Sequence, residues 1–161
     1  MNKNYAMFPG TFDPPSFGHL DIIERAAKLY DKFYVVVGDN ISKKTMFTAK
    51  ERCEMLKKLV KHLPNVEVCS WSGATVDFAK KYDVAVVVRG IRAINDFENE
   101  FELALVYKYM MPELEILFMP TDSRLSMMRS SMVKEMAHFG ADISSFVPEL
   151  VCEEVKAKLM C

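Results

Sequence analysis

Apolar residues in this chain fall into two alternating kinds of segment, short strand-length runs and longer stretches in which they recur every three or four positions. The runs are centred on Tyr5–Phe8, Phe33–Val37, Val66–Cys69, Val84–Val88 and Glu115–Met119. Turn formers punctuate them: Pro9-Gly10 after the first, Gly38-Asp39-Asn40 after the second, Pro64-Asn65 before the third, Arg89-Gly90 after the fourth and Pro120 after the fifth. The second and fourth runs are continuous and β-branched, the pattern of strands covered on both faces. Between the runs, residues 17–30 set Leu20, Ile23, Ala27 and Tyr30 on one helical face. Residues 48–62 open with Thr48 three positions before Glu51, a capping-box spacing, and turn Cys53, Leu56 and Leu59 or Val60 inward. Helices are also predicted over 74–82 and about 94–110 and from near Ser130. At the C-terminal end Val151, Val155 and Leu159 form an i, i+4, i+8 stripe. Strands alternating with helices predict an α/β fold, a doubly wound five-stranded parallel sheet with helices on both faces. Ligands of such sheets sit outside the carboxyl ends of the strands, where strand order reverses.

Composition narrows the class. The 161 residues suit one domain spanning 1–161, and half hydrophobic with 27% charged is a globular balance. A net charge of −1, from 21 basic and 22 acidic residues, argues against a protein that coats nucleic acid or binds membranes by charge. No apolar run approaches membrane-spanning length, and Met1-Asn2-Lys3-Asn4 leads straight into a strand-like segment, with none of the long apolar stretch of a signal peptide. The four cysteines form no C-x-x-C pair, and none of the three histidines lies near one in sequence. Reduced thiols in a cytoplasmic protein are the expectation.

The strand ends carry the candidate chemistry. After the first strand comes Pro9-Gly10-Thr11-Phe12-Asp13-Pro14-Pro15-Ser16-Phe17-Gly18-His19. It matches neither common glycine-rich phosphate fingerprint, but its parts suit an anion. Gly10 allows close backbone approach, Thr11 offers a hydroxyl and an N–H, and Gly18-His19 falls in a helix's first turn, where the dipole favours negative charge. His19 is either a plain capping histidine or a candidate general acid, and its place in this loop favours the second. The second strand leads to Ser42-Lys43-Lys44, where a solvated lysine pair is the plainer reading. The fourth delivers Arg89-Gly90-Ile91-Arg92, whose guanidinium forks match phosphate oxygens. In Asn95-Asp96-Phe97-Glu98-Asn99-Glu100, dipole compensation accounts for Asp96 and Glu98. After the fifth strand, Leu125-Ser126-Met127-Met128-Arg129-Ser130-Ser131 opens a helix whose hydroxyls are caps or phosphate donors. Three loops bearing phosphate-type donors on one face point to chemistry at a nucleotide's phosphates, where positioning and charge neutralisation supply most of the catalysis.

These blocks, in this order and together with Met111-Pro112-Glu113-Leu114-Glu115 and Ser130-Ser131-Met132-Val133-Lys134-Glu135, resemble the bacterial phosphopantetheine adenylyltransferase family from end to end. The resemblance implies a Rossmann-like fold and transfer of the adenylyl group of ATP to 4'-phosphopantetheine. It implies Thr11 and His19 at the α-phosphate, and Lys43 and Arg89 on the acceptor phosphate. Arg92, Ser130 and Ser131 would face the β- and γ-phosphates, with Glu100 and the Gly90-Ile91 backbone on the nucleoside. Gly10, Phe12 and Leu125–Arg129 complete the ATP site, and Ala74, Thr75, Leu103 and Tyr107 the pantetheine site. Mg2+ bound mainly through ATP, a homohexamer and coenzyme A as feedback inhibitor are further implications. Departures from the family pattern include Ser16 for a threonine, Arg129 for a small hydroxyl residue, Ala74-Thr75 for a leucine and a bulky neighbour, and Tyr107 for an asparagine. Residues 121–125 also run one residue longer than usual. The alternatives that stay open are a nucleotidyltransferase of the same fold acting on another small phosphorylated acceptor, and a nucleotide-binding protein without catalysis.

Overall fold

The computed structural model describes residues 1–39, 44–125 and 129–160. Five parallel strands form one sheet: β1 (Asn2–Gly10), β2 (Lys32–Gly38), β3 (Val66–Trp71), β4 (Val84–Ile91) and β5 (Glu115–Pro120), in the order β3-β2-β1-β4-β5. The helices among the described residues are α1 (Phe17–Ala27), α2 (Ala49–Leu59), α3 (Thr75–Lys81), α4 (Ile94–Met110), α5 (Ser130–His138) and α6 (Glu149–Met160), with a 3-10 turn at Ser123–Leu125.

Strand period sorts side chains onto the two faces. Ala6, Phe8, Phe33, Val35 and Val37 pack with Ile22, Ile23 and Ala26 of α1 and with Cys53 and Leu56 of α2. The intervening Met7, Tyr34 and Val36 pack instead with Val76, Phe78 and Ala79 of α3 and Tyr107 of α4. The doubly wound sheet expected from the sequence is present. A third cluster joins Phe47 and Met55 to Val133, Ile143, Val147, Val151, Cys152 and Val155, clamping α5 and α6 onto the edge of α2. The predicted stripe of the last helix holds for Val151 and Val155. It fails at Leu159, which is 40% exposed.

Caps fix where helices begin. Thr48 Oγ1 accepts the Glu51 N–H and a Glu51 carboxylate oxygen accepts the Thr48 N–H at 2.7 Å, the reciprocal pair the spacing predicted. Lys158 of α6 donates to the same carboxylate at 2.7 Å, and these bonds, led by that of Lys158, push the Glu51 pKa down to about 2. The register sets the carboxyl ends of β1, β2, β4 and β5 on one edge: Gly10 lies beside Val37, and Gly90 beside Met119. The chain leaves β1 toward β2 on one side while β4 lies on the other, so the topological switch falls between β1 and β4.

Candidate active site

At that switch lies a cavity of about 630 Å³. Its floor is the β1–α1 loop, where Gly10, Thr11, Phe12, Gly18 and His19 all line it. From β4 come Arg89 and Gly90, from just after it Arg92, from α4 Glu100, from the loop before α2 Lys44 and Thr45, and from α5 Ser130, Ser131 and Lys134 with Arg129 ahead of them. A smaller cavity of about 440 Å³ shares Arg92 and Thr121 with the first and adds Ile91, Ile94, Phe97 and Pro120. A charged compartment thus adjoins an apolar one, as a nucleotide's phosphates and base require.

The β1–α1 loop is built around an aromatic core. Phe12 takes a φ of 51°, uncommon for a bulky residue, and buries its ring to 1% exposure. That ring stands edge-on to Phe8 at 5.3 Å and to His19 at 4.9 Å between centroids. Gly10 is required here, since a Cβ would lie 2.8 Å from the Phe12 ring. At Gly18 a Cβ would meet nothing nearer than 3.7 Å, so the protein's own packing does not demand glycine; the side chain would instead fill the cavity.

His19 both caps α1 and faces the cavity. Its Nδ1 accepts the Ser16 backbone N–H at 3.0 Å and lies 3.1 Å from Ser16 Oγ. With Nδ1 accepting, the proton of the neutral ring sits on Nε2. Burial, and next the positive charge of Arg92, lower the His19 pKa to about 4. In the substrate-free protein at neutral pH His19 is therefore uncharged, with its Nε2–H available to the cavity.

Charge is arranged in pairs around the cavity. Arg89 donates through Nε and Nη2 to both oxygens of Glu100, at 2.5 and 2.6 Å, and through Nη1 to the Pro9 carbonyl at 2.8 Å. Arg92 Nε donates to Asp96 at 3.0 Å. Lys134 donates to Asp13 at 2.7 Å, while Lys44 and Arg129 have no ion pair among the described residues. The positive side chains outnumber the carboxylates lining this cavity, as binding a polyphosphate demands. Ser130 Oγ donates to the Pro14 carbonyl at 2.8 Å, holding α5 against the loop. The ends of β4 and β5 are joined by Thr121 N–H to Ile91 carbonyl at 2.8 Å, and α1 reaches the same corner through Arg25 to the Pro120 carbonyl at 2.7 Å.

Of the residues singled out in the sequence, Gly10, Thr11, Phe12, His19, Arg89, Gly90, Arg92, Glu100, Arg129, Ser130 and Ser131 meet at the larger cavity, and Ile91 at the smaller. Leu125 ends the 3-10 turn with its carbonyl near Gly18. Lys43, Ser126, Met127 and Met128 lie outside the described residues. Ala74, Thr75, Leu103 and Tyr107 form a separate group: the Tyr107 hydroxyl donates to Thr75 Oγ1 at 3.1 Å, and the Ala74 carbonyl accepts Trp71 Nε1–H at 2.9 Å. Two of the departures from the family pattern are thus in contact. The sequence reading missed Asp13, Lys134 and Arg52. The Asp13 carboxylate, 3% exposed, accepts the Met46 and Phe47 N–H groups, each at 2.9 Å, besides Lys134. A signal for Arg52 existed, since it sits on the Cys53–Leu56 stripe where a charge is out of place.

Residues 7–136 match the cytidylyltransferase-like family model. Two curated relatives match over nearly the whole chain. The phosphopantetheine adenylyltransferase of Finegoldia magna is 46% identical over 158 residues, 98% of each chain. That of Dictyoglomus turgidum is 46% identical over 153 residues, covering 95% of this chain and 96% of its own. A solved Vibrio parahaemolyticus structure, a proposed nicotinate-nucleotide adenylyltransferase, superposes with a TM-score of 0.68 at 22% identity over 96% of this chain and 99% of that one, a likeness of fold.

Proposed function

Because the chain belongs to the phosphopantetheine adenylyltransferase family, within the wider cytidylyltransferase-like family, we propose that it transfers the adenylyl group of ATP to 4'-phosphopantetheine, giving dephospho-coenzyme A and pyrophosphate. The observation that carries this reading is near-full-length identity to relatives of that name, joined to a cavity whose donors suit phosphates. An oxygen of the acceptor phosphate attacks the α-phosphorus in line, the bond to the β-phosphate oxygen breaks, and pyrophosphate leaves. No covalent enzyme intermediate is needed.

The residue roles belong to this proposal. Thr11 and the Nε2–H of His19 donate to the α-phosphate as negative charge builds on it, an arrangement that acts on the transition state more than on bound substrate. Arg89, aimed by Glu100 and the Pro9 carbonyl, and Lys43 orient the acceptor phosphate. Arg92, Arg129, Ser130 and Ser131 are assigned to the β- and γ-phosphates, and Gly90, Ile91 and Glu100 to the nucleoside; Ser126, Met127 and Met128, expected at the ATP site, lie outside the described residues. Both carboxylates of the larger cavity are committed, Asp13 to two N–H groups and Lys134, Glu100 to Arg89. That donor set fits Mg2+ arriving on the phosphates, where it would neutralise part of the leaving group's charge. Tyr107 and Thr75, with Ala74 and Leu103, are assigned to the pantetheine arm.

Self-association, as a homohexamer in this reading, accords with α4, which exposes Ile94, Leu105, Val106 and Tyr109, the last at 90%. A cytoplasmic site is supported by the free thiols of Cys53, Cys69 and Cys152, and no helix among the described residues is long and apolar enough to cross a membrane. Feedback inhibition by coenzyme A belongs to the same reading, since it carries the product's pantetheine arm.

The test is pyrophosphate release from ATP and Mg2+ with 4'-phosphopantetheine, glycerol phosphate, nicotinamide mononucleotide or no acceptor. Release specific to phosphopantetheine, with dephospho-coenzyme A appearing, is expected. Release only with another acceptor would reassign the substrate, and ATP binding without release would remove catalysis.

A further inference from the structure

One buried charge lies outside all the chemistry assigned above. Arg52, in the first half of α2, is 1% exposed, the largest of the fully buried side chains. Among the described residues it has no carboxylate partner. Its Nε donates to the carbonyls of Phe47 at 3.1 Å and Thr48 at 3.3 Å, and its Nη1 to those of Thr11 at 2.6 Å and Gly38 at 3.0 Å. A guanidinium withdrawn from water onto neutral carbonyls is costly to bury, and an apolar residue would satisfy this helix stripe more cheaply. What the arginine adds is a tie among three segments: the loop after β1, the end of β2, and the turn into α2.

The Thr11 carbonyl belongs to the peptide that leads into Phe12, the residue held at φ 51°. A backbone conformation of this kind persists where its surroundings over-determine it. Here the ring of Phe12 is fixed by Phe8 and His19 on one side, and the carbonyl before it by Arg52 on the other. Rotating that peptide would move the Thr11 hydroxyl and tilt the aromatic platform under His19, the two donors assigned to the α-phosphate. We propose that Arg52 is a positioning residue for adenylyl transfer, holding the Thr11–Phe12 peptide so that Thr11 and His19 converge on the reacting phosphate. The inference rests on the nucleotidyl-transfer reading of this cavity, yet the geometry it invokes exists without substrate.

The test compares wild type with Arg52→Met, which keeps length and apolar bulk, and Arg52→Lys, which keeps a donor. Three quantities are read: Tm, kcat and KM for ATP and for acceptor, and the His19 ring resonances in substrate-free protein. Wild-type turnover is the control for the reaction itself, and if the acceptor proves to be another phosphate ester the same comparison is run on it. The expectation for Arg52→Met is a folded protein whose kcat falls roughly 10–100-fold, the scale of a small misplacement of reacting groups. The KM for ATP should stay within about threefold, because a positioning loss falls on the transition state. The His19 resonances should shift, and Arg52→Lys should recover part of kcat and of the wild-type resonance positions. Wild-type kcat per folded molecule in Arg52→Met would overturn the proposal, as would unmoved His19 resonances. If Arg52→Met does not fold, Arg52→Lys decides alone: reduced kcat at unchanged KM with shifted His19 resonances supports the proposal, and wild-type values of both overturn it.

Discussion

Replacing His19 separates its two jobs. The imidazole caps α1 through Nδ1 and presents Nε2–H to the cavity, so a change that keeps one nitrogen's role and deletes the other's is informative. Asparagine places an acceptor near the Nδ1 position and has nothing at Nε2, whereas alanine removes both. His19→Asn should therefore hold stability close to wild type, and His19→Ala should lose the cap, about 0.5–2 kcal/mol. Both should lower kcat by about 10²–10³-fold, or ~2.7–4 kcal/mol of transition-state stabilisation, the usual effect of losing one donor aimed at developing charge. ATP affinity should change little in either. The pKa of about 4 adds a pH signature. His19 stays neutral in the folded protein while the unfolded chain takes up its proton near 6.5. Its contribution makes stability fall as pH drops from about 6.5 toward 4, with no further effect below that and none above. The wild-type stability curve should slope more steeply than that of His19→Asn across that window. Pyrophosphate release under saturating substrates, with thermal melts of the substrate-free proteins from pH 4 to 8, measures all of this. Wild-type kcat in His19→Asn would show that the histidine is only a cap, and equal stability slopes in the two proteins would refute the argument that folding holds His19 neutral.

Lys43→Ala should chiefly weaken binding or orientation of the acceptor, read as a raised KM for phosphopantetheine or a lowered kcat; a change confined to the KM for ATP would reassign the lysine. Asp13→Ala leaves the buried Phe47 N–H, the half-buried Met46 N–H and Lys134 without their acceptor and should cost about 3–5 kcal/mol, seen as a Tm lowered by about 6–20 °C. Adding Lys134→Met should recover only a small part of that loss, since the N–H groups remain; full recovery would make the ion pair the dominant contact. If the chain assembles as proposed, Leu105→Glu, placed in the exposed apolar span of α4, should lower its mass by light scattering, and an unchanged mass would exclude α4 from the interface.

The sequence by itself determined the alternation of strands and helices, because strand and helix periods are local properties written in the spacing of apolar residues. Phe33–Val37 and Val84–Val88 could only be two-faced strands, and the Thr48–Glu51 cap needed nothing beyond its own turn. The loops that build the cavity were legible too, since a glycine, hydroxyls and arginines directly after buried strands have few structural uses. Contacts between segments distant in the chain were decided only by the tertiary structure. Glu100 meets Arg89 across a helix and a strand end, Tyr107 meets Thr75, and Asp13 collects donors from residues 46, 47 and 134. Leu159 continued a stripe that its surroundings did not continue. His19 is another case: burial, with Arg92 beside it, lowers the pKa of a residue that otherwise titrates near neutrality to about 4. Arg52 shows the same limit, since a charge on an apolar stripe can be seen in the sequence, but the carbonyls that receive it are brought together only by the fold.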